Sequence, residues 1–441
     1  MEKKNMNLPP GPKGNWLTGS ISEFKADPLT LFQKLYDSYG DVVSVRLATT
    51  KSVLITHPKD IAYVLKTNQK NYSKKTRGIG RLKEILGDGL LTVIDKEKWA
   101  HNRRVMQPVF RHNTLDGYIS IIHKLCQERL KTWDGTVSMV PEMTQLTLQI
   151  AGRCFFDCNI KETEVIGNAF MEVMEINQNR FRSAFSAPLW FPTAQNKRFH
   201  KAIQVLDSQI LMLIKEKRKN SGEDLLSRLI VAFDDETGDE MNQQLRDEAI
   251  TMLGAGHETT ANALIFIFDL LSRNPKAYVR VREESLTGWS GDCPTIEELK
   301  SLSYTTACIQ ESMRLNPPAW VFGRQAEGPD TIGGYDIPKN TLVMMSPFVT
   351  HRRRDLWDEP LDFRPERFLE SDRNRLPFSF IPFSGGARGC IGRFFGMMEM
   401  QIIVSSIARR FATLERITPE ITGWAPLITL RPIDDVPIHF V

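Results

Sequence analysis

Pro382-Phe-Ser-Gly-Gly-Ala-Arg-Gly-Cys-Ile-Gly392 runs directly into Arg393 to Phe411, whose apolar residues recur at helical spacing. A glycine-rich loop therefore feeds a helix, with Cys390 at the junction. Unpaired N–H groups and the macrodipole at a helix start favour a thiolate over a thiol. Gly386, Gly389 and Gly392 let the backbone pass close to a flat ligand with no Cβ in the way. Phe383 is placed to shield the sulfur from water, and Arg388 to pair with an acidic group on that ligand. A Walker-type phosphate loop would need Gly-Lys-Ser/Thr, which this stretch lacks. A buried cysteine at a helix start is the plainer alternative.

Upstream, Gln243 to Ser272 is apolar at helical spacing and long for a globular helix. At its centre lies Ala255-Gly256-His-Glu-Thr-Thr260. An interior glycine costs about 1 kcal/mol relative to alanine, so a packing or ligand reason is sought. Ala255 and Gly256 would open a shallow groove sized for a diatomic ligand. Glu258 and Thr259 set an acid beside a hydroxyl, a pair able to relay protons. His257 reads as an ordinary helix-face residue. Glu311-Ser-Met-Arg314 puts a carboxylate and a guanidinium at i,i+3, a commonplace pair. Phe363-Arg-Pro-Glu-Arg-Phe368 supplies Arg367 to complete a Glu-Arg-Arg network, and Trp99-Ala-His-Asn-Arg103 begins another helix.

Taken whole, Phe383-x-x-Gly386-x-Arg388-x-Cys390-x-Gly392 resembles the haem-binding signature of the cytochrome P450 family, and the resemblance runs from Pro9 to the C-terminus. It implies haem b (iron protoporphyrin IX) with Cys390 as the axial iron ligand, a thiolate that pushes electron density onto iron and favours O–O cleavage. Thr259 and Glu258 then correspond to the oxygen-activation motif. Glu311, Arg314 and Arg367 correspond to a network that holds the cysteine loop without joining the chemistry. Haem carries two propionates, for which Trp99, Arg103, Arg324 and Arg388 are candidates, with His351 a weaker one. By the family's layout the pocket would be lined by Leu86, Leu90, Ala255, Ala319, Val321, Phe322, Leu427 and Ile428, which suits a hydrophobic small molecule.

The implied reaction is a monooxygenation, hydroxylation or epoxidation, using O2 and electrons from NAD(P)H. Those electrons would arrive through a separate ferredoxin or flavodoxin with its reductase, since the chain stops soon after its last strand without a fused reductase. Lys96, Lys98, Arg104, Arg111 and Arg393 are candidates for docking such an acidic partner. A peroxide-driven or isomerising haem-thiolate enzyme is one alternative, disfavoured by the Glu258-Thr259 pair. A haem-based gas sensor is another, and no signalling or DNA-binding segment accompanies it.

The bulk of the sequence agrees. Glycine and proline are spread over the 441 residues rather than gathered in a hinge, so one domain over 1–441 is expected, with a proline-rich opening segment at 1–14. Strand-like runs at Asp41 to Leu47, Ser52 to Thr56, Thr341 to Met345 and Leu427 to Leu430 flank a helical stretch from Asp95 to Leu315. The fold class read here is mainly α with small β-sheets. A net charge of +4 without a basic stripe argues against nucleic acid. Six cysteines in so long a chain are no disulfide scaffold and fit a reducing cytoplasm; Cys154 and Cys158 read as small core residues. Prolines occupy the place of a signal peptide's apolar run, and Ala263 to Leu271 is too short to span a bilayer. A monomer is expected, with at most peripheral membrane contact. Ala187-Pro-Leu-Trp-Phe-Pro192 reads as an apolar lid or as a helix-joining turn.

Overall fold

The computed structural model describes residues 6–182, 187–233, 238–369, 375–419, 421 and 423–441, so Met1 to Asn5 of the opening segment lie outside the described residues. The chain forms two compact units. One comprises Met1–Ile79, Gln310–Cys390 and Ala425–Arg431; the other comprises Gly80–Ile309, Ile391–Trp424 and Pro432–Val441.

The first unit is organised by a five-stranded sheet, ordered Val42–Leu47, Thr50–Ile55, Leu342–Met345, Phe322–Ala326, Tyr72–Ser73. The first two strands form an antiparallel hairpin with Val42 opposite Ile55, and Ala48 takes the left-handed turn position at φ 52°. Thr50–Ile55 pairs in parallel with Leu342–Met345, which continues antiparallel to Phe322–Ala326. Alternate β-branched and apolar side chains of this sheet, Val42, Val53, Ile55, Val343 and Met345, bury against Ile61, Leu65 and Ile381. Pro58 opens the helix Pro58–Ala62, where a missing N–H costs nothing, and the ladder then widens into a π-turn, Tyr63–Thr67. Of the run Leu427 to Leu430, expected as a strand, only Leu430 is in one; residues 427–429 form the turn of a hairpin between Trp424–Pro426 and Leu430–Pro432. The Leu427 amide bonds back to the carbonyls of Ala425 and Thr429, which closes the chain on itself.

The second unit is helical. Its axis is Asp239–Arg273, packed along Met139–Phe156. The ring of Phe155 lies where a Cβ on Gly256 would fall, 2.8 Å away. Helix Arg393–Arg410 packs on His112–Leu130 and Pro275–Gly288. From Phe395 to Ala408 it is buried nearly all round, which is why its apolar residues make no single stripe. Arg282 closes its end by donating to the carbonyls of Ala408, Arg409 and Phe411. A three-stranded sheet places Pro437–Phe440 between Thr136–Ser138 and Leu414–Arg416. The fold is mainly α with small sheets. Among the described residues no helix is long and apolar enough to cross a membrane.

Candidate active site

Of the six cysteines, Cys390 alone is exposed. Burial pushes the thiols of Cys126 and Cys158 up to about 12 and raises those of Cys154 and Cys293, so these four are held protonated. Cys390 is thus the one fully exposed sulfur, with Cys293 half-buried and the other four buried. The Cys390 loop is shaped by its own backbone: the Cys390 amide donates to the Phe383 carbonyl at 3.0 Å, and the Gly389 amide to Gly386 at 3.1 Å. Gly386 has φ +68°, and a Cβ there would fall 1.9 Å from the Leu65 carbonyl oxygen in the π-turn. The close approach that demands glycine at 386 is thus to the protein itself. A Cβ at Gly392 would meet nothing within 4 Å. Gly392 is the N-cap of Arg393–Arg410, so Cys390 precedes the helix by two residues instead of standing in its first turn.

Behind the loop, the arginine constellation is one connected object. Arg314 forks onto Glu311 through Nε at 2.7 Å and Nη2 at 2.8 Å, and Arg367 Nε reaches the same carboxylate at 3.0 Å. The remaining donors of Arg314 go to the carbonyls of His351, Pro360 and Asp362, and those of Arg367 to Asp358 and Glu359. Glu311 and Arg314 have no exposed side-chain surface, a burial tolerable only because every charge is met. His351, offered above as a weaker propionate ligand, is fully buried here. One ring nitrogen takes the Ile381 amide and the other faces the Arg314 carbonyl, so neither is left for a ligand.

Ile381 immediately precedes the cysteine loop. The same unit holds Arg324 and Arg388. Burial, and then the charge of Arg388, push Arg324 down to about 10; burial pushes Arg388 down to about 10. Two like charges withdrawn from water near each other lower their energy most when an anion joins them. An exposed sulfur and two such guanidiniums in one unit fit a planar iron group with acidic side arms. Nearby, Trp320 turns into the core while Ala319, Val321 and Phe322 stay half-buried. The Trp320 indole donates to the Leu427 carbonyl at 2.9 Å and the Leu430 amide to Pro318 at 2.8 Å, which draws Leu427 and Ile428 to that segment.

In the second unit, Ala255 is exposed at the middle of Asp239–Arg273, and Gly256, Glu258 and Thr259 are half-buried. Gly256 answers to packing against Phe155, so any groove is made by Ala255. Thr259 Oγ1 donates to the Ala255 carbonyl one turn back at 2.6 Å. His257 faces away: its ring is buried, holds the Thr144 carbonyl at 3.1 Å, and is pushed down to about 4 by burial. Trp99 and Arg103 are half-buried on Lys96–Met106, which Asp95 caps by accepting from the Lys98 amide. Leu86 and Leu90 are buried, at 4% and 7% exposure. Lys96, Lys98, Arg104, Arg111 and Arg393 are all exposed.

The sequence marks His351 only as a weaker propionate candidate, with no motif around it, and Glu248 not at all. Glu248 stands seven and eleven residues before Ala255 and Thr259, hence on their helix face. An acid on an otherwise apolar face was the available signal.

A fold that presents one exposed cysteine ahead of a buried helix, under a Glu-Arg-Arg network, defines a haem-thiolate protein. The family model for Cytochrome P450 matches residues 9–424, and the chain belongs to that family of haem-thiolate monooxygenases. It is 32% identical to cyclooctatin synthase of Streptomyces melanosporofaciens, over 91% of this chain and 88% of the relative. It is 29% identical to pentalenene oxygenase of Streptomyces avermitilis, over 91% and 88%. A mouse relative, leukotriene-B4 omega-hydroxylase 3, is 28% identical over 92% and 84%. Relatives named for such different molecules match almost equally well, so overall similarity does not select a substrate.

Proposed function

We propose that the chain acts as a single haem domain, cytoplasmic and monomeric, which holds haem b through the Cys390 thiolate and inserts one oxygen atom from O2 into a hydrophobic small molecule. The haem supplies the redox chemistry when bound. The chain's own residues supply the rest. Arg324 and Arg388 bind propionate, a pairing that the burial of two like charges favours; Trp99 and Arg103 of the second unit are donors of the kind a propionate accepts from. Phe383 and Gly386 frame the sulfur, and Glu311, Arg314 and Arg367 hold the loop that carries it. Glu258 brings protons and Thr259 holds and passes them at Oγ1, beside the open face at Ala255. The apolar residues at 319, 321, 322, 427 and 428 of the first unit suit contact with a hydrocarbon skeleton, as by themselves do Leu86, Leu90 and Ala255 of the second. Hydroxylation or epoxidation of an apolar carbon is the outcome, in keeping with the names of the bacterial relatives. Electrons come from NAD(P)H through a reductase and a separate ferredoxin or flavodoxin, drawn to the exposed cations at 96, 98, 104, 111 and 393.

The observation that carries this reading is that Cys390 is the one fully exposed cysteine, set in the glycine-rich loop ahead of helix Arg393–Arg410. Its test is the reduced carbon monoxide spectrum of the purified protein, expected to show the red-shifted Soret band of thiolate ligation. Cys390→Ser should lose that band and most activity. A variant that kept the band would move the ligand to another cysteine.

A further inference from the structure

The carboxyl group of Glu248 is buried and surrounded by donors. The Leu90 amide donates to Oε2 at 2.8 Å; Gln244 Nε2 and Asn102 Nδ2 donate to Oε1 at 2.8 and 3.1 Å. These partners sit on three different elements: the loop after helix Arg77–Leu86, the helix of Trp99 and Arg103, and Glu248's own helix. Asp247 makes a second tie, accepting the Asp88 amide at 2.7 Å. The loop lies flush on the helix. A Cβ at Gly87 (φ +55°) would fall 2.1 Å from the Asp247 carboxylate, and one at Gly89 would fall 2.1 Å from Thr251 Oγ1. Thr92 Oγ1 donates to the carbonyls of Gly87 and Gly89 and folds the loop on itself.

We infer that Glu248 is a positioning residue for substrate selection: ionised, it clamps the loop Leu86 to Val93 and the Trp99/Arg103 helix to the oxygen-activating helix, and protonated it releases the loop. The assignment of Leu86 and Leu90 to the pocket wall rests on the function proposed above; the clamp itself does not. A carboxylate accepts from all three donors at once, whereas a carboxylic acid turns one oxygen into a donor facing N–H groups. The charged groups around it are Asp247 and Arg246 on its own helix, with Asp207 paired to Arg246. From the loop side come Asp88 and its ion-pair partner Lys83, and next to Asn102 stands Arg103. Burial pushes Glu248 up to about 7; its three hydrogen bonds oppose the rise and Asp247 adds to it. Release therefore falls within the physiological range of pH.

Hydrogen exchange on the haem-loaded, full-length protein without substrate tests this. Protection of residues 86–93, corrected for the intrinsic rate and referred to strand Pro437–Phe440, should fall about tenfold from pH 8 to pH 6. Glu248→Gln should lose about tenfold at pH 8 and show no further pH dependence. Wild-type protection in that variant, or an equal loss in the reference strand, overturns the clamp. If the variant does not fold, the wild-type pH pair decides, and pH-independent protection there overturns it equally. The reduced carbon monoxide spectrum of the same sample reads the haem function separately, so the two readings fail independently.

Discussion

His351 Nε2 accepts the backbone amide of Ile381 at 2.9 Å, which makes one histidine the joint between the arginine network and the cysteine loop. Its Nδ1 faces the Arg314 carbonyl, the residue that forks onto Glu311. The ring is therefore neutral. Burial, then the charges of Arg314 and Arg352, hold its pKa well below the usual histidine value.

This joint makes the protein sensitive to acid. A histidine depressed in the folded state stays neutral there while the unfolded chain takes up a proton below about pH 6.5. The unfolded state then binds more protons, so stability falls with falling pH from that point. His257, pushed down to about 4, acts in the same direction over the window from about 6.5 to 4. Each should remove about 1.4 kcal/mol per pH unit within its window. Urea unfolding at pH 7, 6 and 5 measures this, and His257→Asn should make the slope shallower. An identical slope in the variant would assign the acid loss to other groups.

Thr259→Ala should leave haem incorporation intact and waste reducing equivalents. The hydroxyl at 2.6 Å from the Ala255 carbonyl would be gone, and proton delivery from Glu258 would lose its last station. Hydrogen peroxide and product are measured per NAD(P)H consumed, and peroxide should become the major outlet. Unchanged coupling would reduce Thr259 to a packing residue.

Charge reversal of Lys98 and Arg104 together should slow the first electron transfer and leave substrate affinity unchanged. Both side chains are exposed on the helix that also carries Trp99 and Arg103. Attraction of an acidic partner weakens with salt, so the wild-type rate should fall with ionic strength and the double variant's rate should fall less. Stopped-flow reduction decides it; a rate indifferent to both changes would place the docking face elsewhere.

Gly386→Ala should cost well over 1 kcal/mol, because the methyl group meets the Leu65 carbonyl and the backbone is left-handed there. Gly392→Ala, with open space at the Cβ, should cost far less. Thermal unfolding of the two haem-loaded variants makes the comparison. Equal shifts would mean that the loop yields at Gly386 more easily than its geometry implies.

The difference between Gly386 and Gly392 also shows where sequence reading stops. A glycine announces that a Cβ is unwelcome, but not what occupies its place, and here the occupant is a carbonyl from residue 65, far away along the chain. The long helix was legible because its period repeats over many turns, and the hairpin at Val42–Ile55 because β-branched runs flank a short turn. Leu427 to Leu430 misled because a short run rich in apolar residues looks alike in a strand and in a turn pinned by Trp320. The family resemblance, more than local patterning, singles out Glu311, Arg314 and Arg367; that His351 relays their position to Ile381 is a tertiary fact with no local signature.

The nearness of Arg324 and Arg388 bears on how firmly the protein is held together before and after loading. Two guanidiniums of one sign, both drawn out of water, repel each other in the folded chain. An anionic group that binds there relieves that repulsion, so loading the cofactor also steadies the fold around its own seat.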